Sequence, residues 1–381
     1  MANLSHLVKP INLEQANEIL SLYNQYGNAT ALAKALGKKD RTVREWVLTA
    51  KEIVFTDGKA PPKHFVKATS TLYDAEGNKK LEWIKTDRQK ESFDEIKDDL
   101  IEAFNSEIKP LKPIKKSTGH DKELMVVIPM GDPHIGLYCS EWEVGEKFNL
   151  EIAKADLCNA VKYLIDAAPK ADRCAIINLG DFFHADNFAG VTSRSGHSLD
   201  MAGRAPEMIE VGVTAMRYCI EYATEKFNHV DVINAIGNHD DLLSIALSCL
   251  LHNVYQNNPR IKIHNEPRTR HYLRHGNVFI GVTHGNSSKD KNLPLLMATE
   301  KAKEWGETKY RFFYRGHHHH DEKIEYNGCI VEQFRTLAPS DSYAFGNGYI
   351  SGRDIKAILM HSKYGEVGRI TCSIDMLRGE K

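Results

Sequence analysis

Five times in this chain an apolar run of strand length stops at a cluster of glycine with carboxylate, amide or imidazole side chains. Leu124–Pro129 leads to Gly131-Asp132-Pro133-His134, and Cys174–Leu179 to Gly180-Asp181-Phe182-Phe183-His184. Val230–Ile236 leads to Gly237-Asn238-His239-Asp240, Val278–Thr283 to His284-Gly285, and Arg311–Tyr314 to Gly316-His317-His318-His319-His320. Runs this short and this continuous suit strands buried on both faces. Helical stretches lie between them at Leu150–Ala168, Ala205–Phe227 and Asp241–Tyr255. Strands alternating with helices predict a layered α/β domain. In such sheets ligands gather beyond the carboxyl ends of the strands. The five polar clusters are therefore expected to meet, and the glycines beside them permit sharp turns and close backbone approach.

Asp, Asn and His supply oxygen and nitrogen donors that suit manganese, iron or zinc and suit calcium or thiolate-seeking metals poorly. Two such ions about 3.5–4 Å apart can clamp the attacking and leaving oxygens of an in-line displacement at phosphorus. Taken singly, Asp132 or Asp181 reads equally well as a turn or cap residue, and His317–His320 as a loop tract. Five clusters in order, each after a strand, are a far more specific signal.

The order D-x-H, G-D, G-N-H-D, a lone H and G-H-x-H over residues 131–319 resembles the calcineurin-like metallophosphoesterases, and the resemblance covers residues 121–381. It implies a layered β-sandwich flanked by helices that holds two divalent metal ions, manganese first and iron or zinc as alternatives. It further implies Asp132, His134 and His319 as ligands of one ion, Asn238, His284 and His317 as ligands of the other, and Asp181 as the bridging carboxylate. His239 takes the place of the general acid, with Asp240 tuning it. The register within the histidine tract stays open: Gly316 favours His317 and His319 over His318 and His320.

The aromatic pair and the His that follow Asp181 resemble the DNA-repair exonuclease (SbcD-like) branch. There the residue matching His184 assists the phosphate chemistry. The alternative is that His184 orients a metal ligand from behind. The polar stretch 186–204 is long for a compact domain, and such loops are usually functional; Arg194, His197 and Arg204 are candidate phosphate contacts, against a merely solvated insertion. This loop and the segment 340–344 are similar to metallophosphoesterases of phages and prophages. About sixty residues follow His320. That is enough for closing strands but not for a DNA-capping domain with an ATPase-binding segment, so a coiled-coil ATPase partner is not expected.

The first sixty residues have another texture. Leu13, Ala16, Ile19, Leu20 and Tyr23 recur at helical spacing; Gly27 interrupts; Thr30–Leu36 forms a short helix; Gly37 turns; and Asp40 can cap a third helix through Leu48. This is the pattern of a helix-turn-helix. Lys38, Lys39, Arg41, Thr42 and Arg44 on the third helix are candidate DNA contacts, whereas Trp46 reads as core. The alternative is a protein-docking module with a solvated basic face. Residues 61–120 read as a β-hairpin around Glu76-Gly77-Asn78, a charged helix over 87–104, and a Lys/Pro-rich linker near 109–116. The expected domains are thus 1–60, 61–120 and 121–381.

A formal charge of −1 argues against a globally basic nucleic-acid coat but not against a local basic patch. Seven cysteines without a C-x-x-C pair predict a reduced cytoplasmic chain. The start has no signal-peptide pattern and no run is long enough to span a membrane. The expected activity is a two-metal phosphodiesterase, foremost a DNA nuclease, with DNA as partner. The alternatives are a small-substrate phosphodiesterase, a protein phosphatase, or a DNA-binding scaffold without catalysis. Homo-oligomerisation is left open.

Overall fold

The computed structural model of the protein describes residues 12–55, 64–73, 78–88, 119–187, 190–192 and 198–379. The chain divides into two compact units, Met1–Ser92 and Phe93–Lys381. No described helix is long and apolar enough to cross a membrane.

In the first unit three helices follow one another, α1 (Leu13–Tyr26), α2 (Ala29–Leu36) and α3 (Asp40–Phe55). Local chemistry sets the breaks. Asn12 accepts from the Gln15 N–H at 2.9 Å while the Gln15 side chain accepts from the Asn12 N–H at 3.1 Å, a capping box. Asn28 caps α2 by accepting from the Ala31 N–H. Gly27 and Gly37 close α1 and α2 in the left-handed region, at φ of 78° and 62°. Ala16, Ile19, Leu32, Val43, Val47 and Ile53 form the core, with Trp46 half-buried against it. The third helix begins at Asp40 and not after it, and it runs past Leu48 to Phe55. Strands β1 (His64–Tyr73) and β2 (Lys79–Arg88) pair antiparallel as the expected hairpin. Asp87 and Arg88 close β2 and do not open a helix. The remainder of the expected charged helix, and the Lys/Pro-rich linker up to residue 118, lie outside the described residues.

The second unit holds strands β3 (Asp121–Met130), β4 (Ala171–Asn178), β5 (His229–Asn234), β6 (Ile261–His264), β7 (His271–His275), β8 (Val278–Val282), β9 (Tyr310–Arg315), β10 (Glu322–Tyr326), β11 (Cys329–Gln333), β12 (Asp354–His361) and β13 (Gly365–Ser373). Its longer helices are α4 (Leu150–Ala167), α5 (Ala205–Lys226), α6 (Asp241–Tyr255) and α7 (Leu293–Glu300). One sheet runs β13-β12-β3-β4-β5-β6 and the other β10-β11-β9-β8-β7. Strands β3 to β6 are mutually parallel, as are β8, β9 and β11.

Alternation along β3 sets the layering. Leu124, Val126 and Ile128 join a core shared with α4, α5 and α6. Met125 and Val127 face the other way, into a core shared with Val278, Ile280 and Val282 of β8 and Phe312 and Tyr314 of β9. Phe279 and Phe313, on the far side of the second sheet, pack on Leu293 and Met297 of α7. The result is helix, sheet, sheet, helix, the layered sandwich expected. Each fully buried aliphatic side chain contributes about 1.5–3 kcal/mol to holding these layers together.

Register places the strand ends side by side. Met130 pairs with Asn178 and Asn178 with Asn234, while Val282 pairs with Tyr314 in the second sheet. Buried Asn178 donates to Asn234 at 2.6 Å, and Asn234 donates to the Ser244 carbonyl and the Ser248 hydroxyl, which locks the start of α6 onto β5. The loops leaving β3, β4 and β5 thus emerge along one edge.

Candidate metal centre

Among the described residues, three groups of ligand-type atoms form where the strands end. One of them, His134 with His184 and His239, shares His134 with the first of the two clusters that hold the candidate ligands. The side chains of Asp132, His134 and His319 each bring one such atom to within 4.8 Å of the others, and Asp181, His284 and His317 do the same. Asn238 joins the second cluster through Oδ1, 2.9 Å from His284 Nε2. Every residue singled out as a candidate ligand is therefore in one of these two clusters. In the histidine tract His317 and His319 are the rings that join them, and both are half-buried, whereas His318 and His320 are exposed. The exposed rings stack on each other at 6.1 Å.

Close packing explains the glycines beside Asn238 and His317. A Cβ on Gly237 would lie 2.1 Å from the Asp181 N and Oδ1, and one on Gly316 would lie 2.3 Å from Asp132 Oδ2. The candidate residues themselves are strained. Among the described residues, the non-glycine positions with positive φ are Asp132, His134, Asp181, His317 and His319, at 43° to 77°. A left-handed Asp or His costs on the order of 1–3 kcal/mol and persists only where its surroundings enforce it. Here they do: both oxygens of buried Asp132 accept from the His317 N–H at 3.0 Å, its carbonyl accepts from the Thr336 hydroxyl, and Asp181 Oδ1 accepts from the His239 N–H at 2.8 Å.

Hydrogen bonds also set the ring tautomers. His284 Nδ1 lies 2.9 Å from the Leu179 carbonyl, so Nδ1 carries a proton and Nε2 faces Asn238 Oδ1 and Asp181 Oδ2, at 2.9 and 3.1 Å. His239 Nδ1 lies 3.0 Å from the His184 carbonyl, which again places a proton on Nδ1 and leaves Nε2 to exchange protons with a substrate. His134 Nε2 is 3.2 Å from His319 Nε2, and its Nδ1 is 3.3 Å from His184 Nδ1. In the arrangement that frees Nε2 of His134 as a ligand, its Nδ1 donates to His184. The His184 proton then sits on Nε2, a buried atom without a protein partner.

Charge follows from burial. Burial and the neighbouring His239 push His184 down to about 3, and burial with His284 pushes His317 down to about 4. His134 is also well below its ordinary value, chiefly through burial. Burial would lower His284 too, but Asp181 and Asp132 outweigh it and hold the ring up at about 10. Asp240 is pushed up to about 7 by burial and by Asp181. Burial would lower His319 as well, but Asp132 outweighs it and raises the ring, so the buried carboxylates hold protons on His284 and His319 that a bound cation would replace. With no thiolate nearby, oxygen and nitrogen donors of this kind fit divalent transition metals.

The other candidate residues separate. Asp240 spends its carboxylate on the Phe183 and Gly237 backbone N–H groups at 3.0 and 3.2 Å, so it braces two loops. Arg204 immediately precedes α5, and its N–H donates to Glu207. Arg194 and His197 lie outside the described residues. In the first unit Lys38, Lys39 and Arg44 are exposed and Thr42 is half-buried; the Arg41 side chain is not among those described. One residue escaped sequence reasoning. Asp186 accepts from the Leu242 and Leu243 N–H groups at 2.7 and 2.8 Å and so caps α6 from a distant loop, where Asp240 makes no side-chain cap. Nothing in the local pattern around Asp186 signals this.

No family model matches the chain, and no curated protein matches it. Among solved structures, the chain is similar to an archaeal phosphodiesterase at 14% identity and a TM-score of 0.34, over 65% of this chain and 100% of the other. It is similar to a dimetal phosphatase from Danio rerio at 11% identity and a TM-score of 0.35, over 66% and 99%. A conserved predicted phosphoesterase from Streptococcus pneumoniae gives 12% identity and a TM-score of 0.27, over 66% and 99%.

Proposed function

We propose that this protein is a two-metal phosphodiesterase that hydrolyses DNA. The observation that carries this reading is the pair of adjoining clusters, Asp132/His134/His319 and Asp181/His284/His317 with Asn238, built on strained backbone at the carboxyl ends of two facing sheets. Such clusters would hold one ion each, manganese foremost, with Asp181 shared between them. Bound ions supply a hydroxide nucleophile at neutral pH and withdraw charge from the phosphate.

The chain's own groups do the rest. His239, with Nδ1 tied to the His184 carbonyl, presents Nε2 to protonate the leaving oxygen. His184 supports both rings from behind, with Nδ1 3.3 Å from His134 Nδ1 and its carbonyl on His239 Nδ1. Asp240 acts on His239 through the backbone it braces and not by touching the ring. DNA as the substrate is supported by the three-helix first unit, whose α3 and the turn before it expose Lys38, Lys39 and Arg44. In this reading it is a helix-turn-helix that delivers DNA to the second unit.

The test is a hydrolysis screen with manganese over plasmid, single-stranded DNA, cyclic nucleotides, p-nitrophenyl esters and a phosphopeptide. DNA cleavage abolished by chelation and restored by manganese is the expected result. Activity confined to cyclic nucleotides or the phosphopeptide would replace DNA with those substrates.

A further inference from the structure

The loop that leaves His284, residues 285–292, has no role in the chemistry above. It is nevertheless fastened to the metal centre. Gly285 sits at φ 111°, and a Cβ there would lie 3.2 Å from Arg315 Cδ and 3.4 Å from the Gly316 carbonyl oxygen. The loop backbone therefore runs against the strand end that carries His317. Farther along, Asp290 pairs with Arg315 at 2.6 Å, and Arg315 is 4% exposed. Buried Leu293 and Pro294 then anchor the far end in α7.

This tie fixes the two residues on either side of Asp290. Lys289 and Lys291 are both exposed, and neither side chain makes an ion pair or hydrogen bond among the described residues. The one acid between them is committed to Arg315. A loop that starts at a candidate ligand, is tied to Arg315 through Asp290 and carries two uncompensated cations is suited to phosphates beyond the one being cleaved.

We infer that Lys289 and Lys291 form a clamp for backbone phosphates flanking the scissile bond of a polynucleotide, held in place by the Asp290–Arg315 pair. The inference rests on the phosphodiesterase reading and names its substrate class: a chain with several phosphates, not an isolated diester. The lysines would act on substrate capture, since charge at the rim lowers the concentration of polyanion needed and leaves the chemical step alone.

The test compares the full-length protein with Lys289→Gln/Lys291→Gln and, separately, Asp290→Asn. Three readouts are taken: anisotropy binding of a fluorescent single-stranded oligonucleotide over a salt series, KM and kcat on that oligonucleotide, and hydrolysis of bis(p-nitrophenyl) phosphate. The double variant should bind the oligonucleotide more weakly, and its plot of log affinity against log salt should flatten by about 0.7 per lysine. KM on the oligonucleotide should rise with kcat held, and the small diester should be unaffected. Asp290→Asn, which keeps both lysines but frees the loop, should move KM in the same direction. An unchanged salt slope and KM in the double variant would overturn the clamp. Failure of the wild-type protein to hydrolyse either substrate would instead count against the phosphodiesterase reading, while the binding series would still decide the clamp.

Discussion

At the scale of single residues, the site is controlled by where protons sit. The His184 carbonyl takes the Nδ1 proton of His239, so the ring can act only through Nε2. His239→Ala should therefore reduce turnover by about 10²–10⁴-fold while metal content stays near that of the wild type. Loss of metal in that variant would make His239 a ligand and not an acid. Protein stripped of metal by a chelator should show a second consequence. His184 and His317, held at about 3 and 4, lie below an unfolded value of about 6.5, so the unfolded chain binds more protons and stability falls as pH drops through that interval. His284, held at about 10, does the opposite: its contribution is complete below about 6.5 and is lost as pH rises toward 10. Denaturant midpoints of the stripped protein should thus peak near pH 6.5 and decline on both sides. Metal bound by His317 and His284 would take the place of their protons, so reconstitution should remove the alkaline limb and steepen the acid one. A flat profile for the stripped protein would contradict these charge states.

At the scale of elements, long-range contacts carry what short-range pattern does not. The parallel strands β3, β4, β5, β8 and β9 are legible in the sequence because both of their faces are buried, which leaves unbroken apolar runs. Strands such as β6 (IKIH), β7 (HYLRH) and β10 (EKIEY) are short, mix charge with apolar residues and lie at or near sheet edges, so periodicity does not separate them from loops. The choice of His317 and His319 within the four-histidine tract depends on two left-handed residues, a conformation that no residue pattern encodes. Capping shows the same limit. Helix α6 takes its side-chain cap from Asp186, more than fifty residues earlier. Asp186→Ala should cost roughly 1–2 kcal/mol of stability in denaturant unfolding. Unaltered stability would mean that other groups satisfy the first turn of α6.

At the scale of the whole molecule, the two units divide the proposed labour. The candidate ligands all belong to the second unit, and the exposed basic residues Lys38, Lys39 and Arg44 belong to the first. Removing residues 1–92 should weaken DNA binding and flatten its salt dependence by about one unit of slope for each phosphate that the first unit neutralises. Hydrolysis of a small chromogenic diester should survive. Equal DNA affinity for both forms would assign the first unit to a different partner.

The central claim is the paired metal site, and the most direct measurement of it is metal stoichiometry joined to one substitution. Elemental analysis after reconstitution with manganese should find two ions per chain, and Asp181→Asn should lose both metal and phosphodiesterase activity, because in the proposed site its carboxylate would serve both ions. No stoichiometric metal in the reconstituted protein, together with undiminished activity of Asp181→Asn, would contradict the account.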